Sequence, residues 1–158
     1  MVELSRLAGV PLVQGLPQWA MARLAAAATE EDLPAGAVVL QQYDRARAVY
    51  VLAAGSVQIL IRVGTEDLLV GVLRSPGQVL GWSAFRPPYR YTATVRCESP
   101  SHVIRFPVEA FEDVFAQDAQ LGLLVLRRVV AGVAERFERA RDLMQTPPRR
   151  GPVGSDQQ

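Results

Sequence analysis

Gly77-Gln-Val-Leu-Gly81-Trp-Ser-Ala-Phe-Arg-Pro-Pro-Tyr-Arg-Tyr-Thr-Ala-Thr-Val95 is the stretch on which the reading of this chain turns. It reads as two strand fragments on either side of a short, glycine-started turn of helix. Most loops in an all-β barrel are plain turns, so a helical connection there is unusual. Residues 81–92 can form a pocket of backbone N–H groups, a common way for proteins to hold phosphate.

The sequence on both sides has a period of two. Leu33-Pro34-Ala35-Gly36 reads as a turn with glycine at a positive-φ position. Strands are expected over Ala37–Gln42, Ala48–Leu52, Ser56–Val63 and Leu68–Leu73, then over Thr92–Glu98 and His102–Phe106. Ala53-Ala54-Gly55, Gly64–Asp67, Ser75-Pro76-Gly77 and Ser99-Pro100 separate them. Short strands near ten residues apart, with Gly or Pro between them, signal a sandwich, barrel or jelly roll.

Helical spacing brackets the strands. Leu16, Trp19, Ala20, Arg23, Leu24 and Ala27 place an amphipathic helix over about Pro17–Ala28, with proline suited to its first turn. The residues before it read as a further short helix interrupted by Pro11 and Gly15. Pro107 opens a helix over Val108–Gln117, and a long helix follows from about Asp118 to Met144. On the long helix Ala119, Leu123, Leu126, Val130, Val133, Phe137, Ala140 and Met144 alternate spacings of four and three. That is a heptad stripe, the pattern of a helix that pairs with another. The alternative is a helix packed back on its own barrel. Arg127, Arg128, Glu135, Arg136, Glu138 and Arg139 flank the stripe. Arg128 and Arg136 are expected to bridge to glutamates of a partner helix. The tail, residues 145–158, is rich in proline and glycine, has no periodicity and is expected to be disordered.

Composition narrows the chemistry. The chain has 158 residues, 49% hydrophobic and 21% charged, with a formal net charge of +1. That suits a single globular domain and gives no bulk argument for nucleic acid or an acidic membrane. No run of apolar residues is long enough to span a bilayer, and the N-terminus does not read as a signal peptide, so a cytoplasmic location is expected. Every basic residue other than the single histidine is arginine. Without lysine there is no Schiff-base or P-loop chemistry. With His102 as the only histidine, metal sites with two or three histidines cannot form within one chain, and no metal site is expected. A Ser-His-Asp triad would need His102 and a nucleophile elbow, and no Gly-x-Ser-x-Gly is present. His102 is expected to be a surface or satisfied histidine, Cys97 a small buried hydrophobe, and Glu30-Glu31-Asp32 a solvated turn rather than a metal site. No catalytic residues are assigned.

The order of helix, strands, short helix and long helix resembles the cyclic-nucleotide-binding domain family, the fold of catabolite-activator-type regulators and of protein-kinase-A regulatory subunits. The likeness covers about residues 10–144. Leu33–Gln42 resembles the family's first turn and second strand. Val49–Val57 is similar to its third strand, glycine turn and fourth strand. Pro76–Gly81 is like the lead-in to its phosphate-binding cassette. The resemblance implies a mainly β fold: an eight-stranded jelly-roll barrel over residues 30–106, an N-terminal helical part over 10–29 and C-terminal helices over 107–144.

In the family, a cassette glutamate bonds the ribose hydroxyl and an arginine pairs with the cyclic phosphate. A bidentate guanidinium and a helix N-terminus both favour such an anion. Here Trp82 stands in place of the glutamate. Aligning Ala93-Thr94-Val95 with the last strand of the cassette puts Tyr91 at the arginine position, with Thr92 after it and Arg90 one residue early. On an extended strand that shift turns the side chain to the opposite face. Losing a charge-assisted pair costs about 1.5–3 kcal/mol, so ordinary high-affinity binding of cAMP or cGMP is not expected. Gly81, Trp82, Ser83, Ala84, Arg90, Tyr91 and Thr92 remain the candidate ligand-binding residues, with Ser83 read as an N-cap of the cassette helix, Gly81 as its tight turn and Arg86 as a further possible donor.

Two functions are carried forward. The first is a non-enzymatic, stand-alone regulatory domain that senses a nucleotide or small anion and signals through its C-terminal helices to a protein partner. The second is a ligand-free dimerisation or protein-interaction scaffold in which Trp82 and Tyr91 fill the pocket. No resident cofactor is expected, a cyclic nucleotide being at most a ligand. A homodimer through Leu126, Val130, Val133 and Phe137 is expected, with no membrane contact. Direct DNA binding is not expected, because residues 145–158 are too few for a recognition helix and its support.

Overall fold

Strands that alternate apolar and polar residues hide the apolar set by stacking sheet on sheet. The computed structural model describes residues 1–145 and shows that arrangement. Eight strands run in order: β1 (Thr29–Leu33), β2 (Val38–Leu40), β3 (Ala48–Ala54), β4 (Val57–Val63), β5 (Glu66–Leu73), β6 (Val79–Leu80), β7 (Thr94–Cys97) and β8 (Ser101–Pro107). They form two four-stranded antiparallel sheets, β1-β8-β3-β6 and β2-β7-β4-β5. Pairing of first with last, second with seventh, third with sixth and fourth with fifth is the nesting of a jelly roll.

Glycine sets the corners. Gly55, between β3 and β4, has φ of +92°. A Cβ there would lie 2.4 Å from Ser101 Oγ and 2.5 Å from the Pro100 carbonyl. That close approach lets the Ser101 hydroxyl donate to the Ser56 carbonyl at 3.1 Å and joins the β3–β4 corner to the β7–β8 corner. Gly36, Gly77 and Gly81 also have positive φ.

Four helices frame the roll: α1 (Leu4–Leu7), α2 (Gln18–Ala27), α3 (Val108–Gln117) and α4 (Ala119–Gln145). Ala20, Met21, Leu24 and Ala25 are the buried face of α2. On α3, Phe111 sits edge-on to Phe85 at 5.4 Å and beside Phe106 at 5.5 Å, which keys α3 to both β8 and the cassette. A Cβ at Gly122 would meet the Phe115 ring at 3.1 Å, so the glycine lets α4 lie close against α3.

Helix α4 has two apolar faces. Val125 and Val129 are buried and Val133 packs half-buried against the same core. About a third of a turn away, Leu123, Leu126, Val130 and Phe137 are exposed, Phe137 at 69%. The heptad seam therefore splits, with Val133 leaning onto its own body. The disordered tail is expected from residue 145, but Gln145 belongs to α4; the rest of that expectation, residues 146–158, lies outside the described residues.

Glu30-Glu31-Asp32, expected as a solvated turn, belongs to β1, the edge strand paired with β8. Charged side chains mask the period of two there, and an edge strand tolerates them because one side faces water. Asp32 lies opposite His102 in the register. Its Oδ1 is 2.7 Å from His102 Nδ1, and Glu30 Oε1 is 3.3 Å from Nε2. His102 is thus a satisfied histidine held between two carboxylates.

The hydrogen bond to Asp32, aided by Glu30, raises the His102 pKa above its ordinary value. A raised folded-state pKa means that protonation favours the fold. The contribution is fully present below the unfolded histidine value of about 6.5 and is lost as pH rises through the higher folded pKa. Because the chain has one histidine, its imidazole proton resonance reports this directly. We expect a titration midpoint above that of a free histidine, moving back towards it in Asp32→Asn, with a matching fall in melting temperature across that pH window that is smaller in the variant.

Candidate functional site

The cassette begins where β6 leaves the sheet. Gly77 N–H donates to the Leu52 carbonyl at 2.7 Å and Leu52 N–H to the Gln78 carbonyl at 2.9 Å, fixing the strand against β3. Gly81 then turns the chain with φ of +78° into a single 3-10 turn, Trp82–Phe85. Gly81 occupies the cap position and no side chain caps the turn, so Ser83 is not the expected N-cap; it lies inside the turn and is buried.

Tyr91 fills the space that the turn encloses. It is buried, and its hydroxyl donates to the Ala48 carbonyl on β3 at 2.8 Å. Burial raises its phenol above the ordinary value, so it stays a neutral donor at physiological pH. A Cβ on residue 81 would come within 3.0 Å of the Tyr91 ring and 3.1 Å of the Ala48 carbonyl. Glycine is therefore favoured at 81 twice over, by its backbone angle and by the close approach of the tyrosine beneath it.

Trp82 closes the site from the other side. Its ring is half-buried against the core and carries the Arg136 guanidinium 4.9 Å from its centroid, a cation–π arrangement. Arg136 comes from α4. Its Nη2 donates to the Val79 carbonyl, while Nη1 is buried with no hydrogen-bond partner among the described residues. Burial, opposed by the charge of Glu135, pulls the Arg136 pKa down to about 10, which leaves it cationic at neutral pH.

Gly81, Trp82, Ser83, Tyr91, Thr92 and Arg136 come together around a cavity of about 20 Å³. Drug-sized ligands need roughly 300–1,000 Å³; this volume is of the order that holds one water. The other two candidate residues are elsewhere. Ala84 is buried with its outer edge on a separate groove beside Arg45 and Arg47. Arg90 is turned out of the cassette: its Nη1 donates to the Tyr43 carbonyl at 3.0 Å, and its backbone bridges Arg45. Arg86, just beyond the turn, does not line the cavity either. The arginines expected to flank a helix seam are also engaged within the chain, Arg128 with the Leu12 carbonyl at 3.2 Å and Arg136 with the cassette.

Arg136 is the site residue that the heptad reading misassigned. The row Val125-Val129-Gly132-Arg136 runs at spacings of four, three and four along the buried face. That row, followed as closely as the exposed one, carries the signal for an arginine brought against the body.

Residues 30–118 match the family described as cyclic nucleotide-binding domain. The chain belongs to the cyclic nucleotide-binding domain family. Solved structures in this family share its fold. A candidate cyclic nucleotide-binding protein from Geobacter metallireducens GS-15 is 22% identical, with a TM-score of 0.75 over 87% of this chain and 99% of that one. The sensor domain of the transcriptional regulator DNR from Pseudomonas aeruginosa is 24% identical, with a TM-score of 0.69 over 82% and 91%. The regulatory subunit of a cAMP-independent protein kinase A from Trypanosoma brucei is 17% identical, with a TM-score of 0.70 over 90% of this chain and half of that one. No curated protein is significantly similar to the chain in sequence. Among the described residues, no helix is long and apolar enough to cross a membrane.

The Tyr91 hydroxyl gives the closed cassette a direct test. Tyr91→Phe leaves the ring in place and removes the donor to the buried Ala48 carbonyl. We expect a loss of about 1–3 kcal/mol in urea unfolding, without change in the dependence on denaturant.

Proposed function

We propose that this chain is a non-enzymatic regulatory domain that acts through its C-terminal helices, with a cassette closed to cAMP and cGMP by its own side chains. The observation that carries the proposal is the filling of the cassette by Tyr91 and its sealing by Trp82 and Arg136, which leave about 20 Å³. Of the two functions considered from the sequence, sensing at the cassette calls for an open cavity with an arginine turned inward from residues 86–90, and the filled-pocket scaffold calls for aromatic side chains inside it. The geometry favours the second at this site. The similar Trypanosoma brucei protein is the regulatory subunit of a cAMP-independent protein kinase A, so the fold is compatible with regulation that does not use cAMP.

The non-catalytic reading is supported by the groups that would otherwise be candidates. Cys97 is buried and its thiol pushed up by burial, the reverse of an activated nucleophile. His102 is occupied by two carboxylates on the edge of the roll. A cytoplasmic site of action accords with the free cysteine.

The readout surface is α4. Leu126, Val130 and Phe137 form an exposed apolar stripe on a helix whose adjoining face is already packed, and a second copy of the same helix is the simplest match for such a stripe. Val133 would contribute at its margin. The resulting homodimer would present α4 and the α3–α4 junction to a protein partner.

Titration calorimetry and melting shifts with cAMP, cGMP and cyclic dinucleotides test the closed cassette: we expect no saturable signal, and micromolar binding would overturn the proposal. Sedimentation tests the stripe. The unsubstituted protein should run as a dimer, and Phe137→Glu with Val130→Glu should run as a folded monomer.

A further inference from the structure

On the far side of Trp82 from the closed cassette lies a larger cavity, of about 460 Å³. One wall is the N-terminal segment at Pro11, Leu12 and Gln14. A second is the lead-in to β6, Pro76–Val79, and the third is α4 from Arg128 to Arg139. The volume falls in the range of small-molecule sites. It does not depend on opening the cassette.

Its lining is cationic. Arg128, Arg136 and Arg139 border it against a single carboxylate, Glu135. Glu135 is an exposed side chain already paired with Arg139, and Arg128 is tied to the Leu12 carbonyl. Arg136 is the group left incomplete. Its guanidinium is largely desolvated, one nitrogen is satisfied by the Val79 carbonyl, and Nη1 is buried without a partner among the described residues. A buried cation is costly unless it meets an anion. Beside it are the Trp82 indole and the apolar side chains of Leu12, Val129 and Val133. The separate groove by Ala84, of about 450 Å³, differs in charge: its arginines, Arg45 and Arg47, are matched by Glu109 and Glu112.

We infer that this cavity is a binding site for a small organic anion, an oxyanion head (phosphate or carboxylate) on a planar apolar body. The head pairs with the guanidinium groups of Arg136 and Arg139, and the body lies along Leu12, Val129 and Val133 beside Trp82. Because the walls belong to different parts of the chain, the ligand binds only when α4 lies against the N-terminal segment. Occupancy therefore favours the docked position of α4 by linkage. This site is independent of the proposal that the cassette is closed to cyclic nucleotides.

The test uses Trp82 as reporter in a Trp19→Phe background, Trp19 being an exposed side chain on α2. The probes are phenyl phosphate and benzoate, with inorganic phosphate lacking the apolar body and benzyl alcohol lacking the charge. We expect at least one of the two aryl anions to change Trp82 emission saturably and raise the melting temperature, and each single-featured probe to bind about tenfold or more weakly. The better aryl anion tells phosphate from carboxylate. Arg136→Met should weaken it about tenfold or more. Arg139→Met should weaken it several-fold and Glu135→Gln should tighten it, while Arg90→Met, outside the cavity, should leave it unchanged. No saturable response to either aryl anion at millimolar concentration overturns the inference. So does binding that both arginine variants leave intact. Should Arg136→Met fail to fold, the opposite signs expected for Arg139→Met and Glu135→Gln decide the matter, since both positions are exposed. Failure here would leave the calorimetry with cyclic nucleotides and the sedimentation results standing.

Discussion

The hydroxyl of Tyr91 reaches 2.8 Å to the carbonyl of Ala48 and ties the end of the cassette to the start of β3. Much of the local architecture follows from that bond. The ring above it leaves little room for a side chain at residue 81, so the 3-10 turn starts from glycine. The turn then directs Trp82 outward to the rim and Phe85 inward to Phe111 on α3. A phosphate-binding loop needs space inside the turn for the anion and its donors. Here a neutral phenol occupies it, with its donor already directed at the protein backbone. Polar satisfaction and packing agree with one another, which makes the filled state a stable arrangement rather than a vacant pocket.

Closing the cassette couples it to α4 from the other direction. Arg136 stacks on Trp82 and donates to Val79, so the long helix is held to the cassette by a contact that uses charge as well as area. A helix held by apolar packing alone, as at Val125 and Val129, can shift by small steps at little cost. A guanidinium seated between an indole and a carbonyl has a preferred position and loses more when displaced. The helix thus carries one face specified by its own body and another, Leu126 to Phe137, left apolar and exposed. That division suits a part whose position on the inside is read on the outside.

Much of this was legible in the sequence, for reasons that differ by element. The corners at Gly36, Gly55, Gly77 and Gly81 were readable because positive φ strongly favours glycine. The helices α2 and α3 were readable because Pro17 and Pro107 stand just before them and their apolar spacing is plain. The direction of Arg90 is open in the sequence, because alternation along extended backbone points it outward but a bulge in the loop would reverse it; its guanidinium is on the Tyr43 carbonyl, with Tyr91 buried beside it. β1 was hidden because an edge strand can carry Glu30, Glu31 and Asp32 without cost, so its composition resembles a loop. The role of Ser83 was misread because capping depends on which residue takes the left-handed angle, and Gly81 takes it two positions earlier. On α4 the sequence contains two apolar rows about a third of a turn apart, and periodicity does not say which of them meets the body.

Arg136 shows why that last ambiguity matters. A heptad reading places it at the flank of a seam, where an arginine is solvated, mobile and paired with a glutamate across the interface. In the folded chain the same residue is desolvated and half-satisfied, with its nearest carboxylate, Glu135, turned to Arg139. A methionine or leucine there would fill the space and carry no desolvation cost. Apolar packing alone therefore gives no reason for an arginine at 136 beyond its contacts with Trp82 and the Val79 carbonyl. A reason exists if the guanidinium is completed from outside, or if its charge fixes where α4 rests on Trp82. Both place the functional weight of this domain on the junction between cassette and helix, rather than inside the turn where a cyclic phosphate would sit.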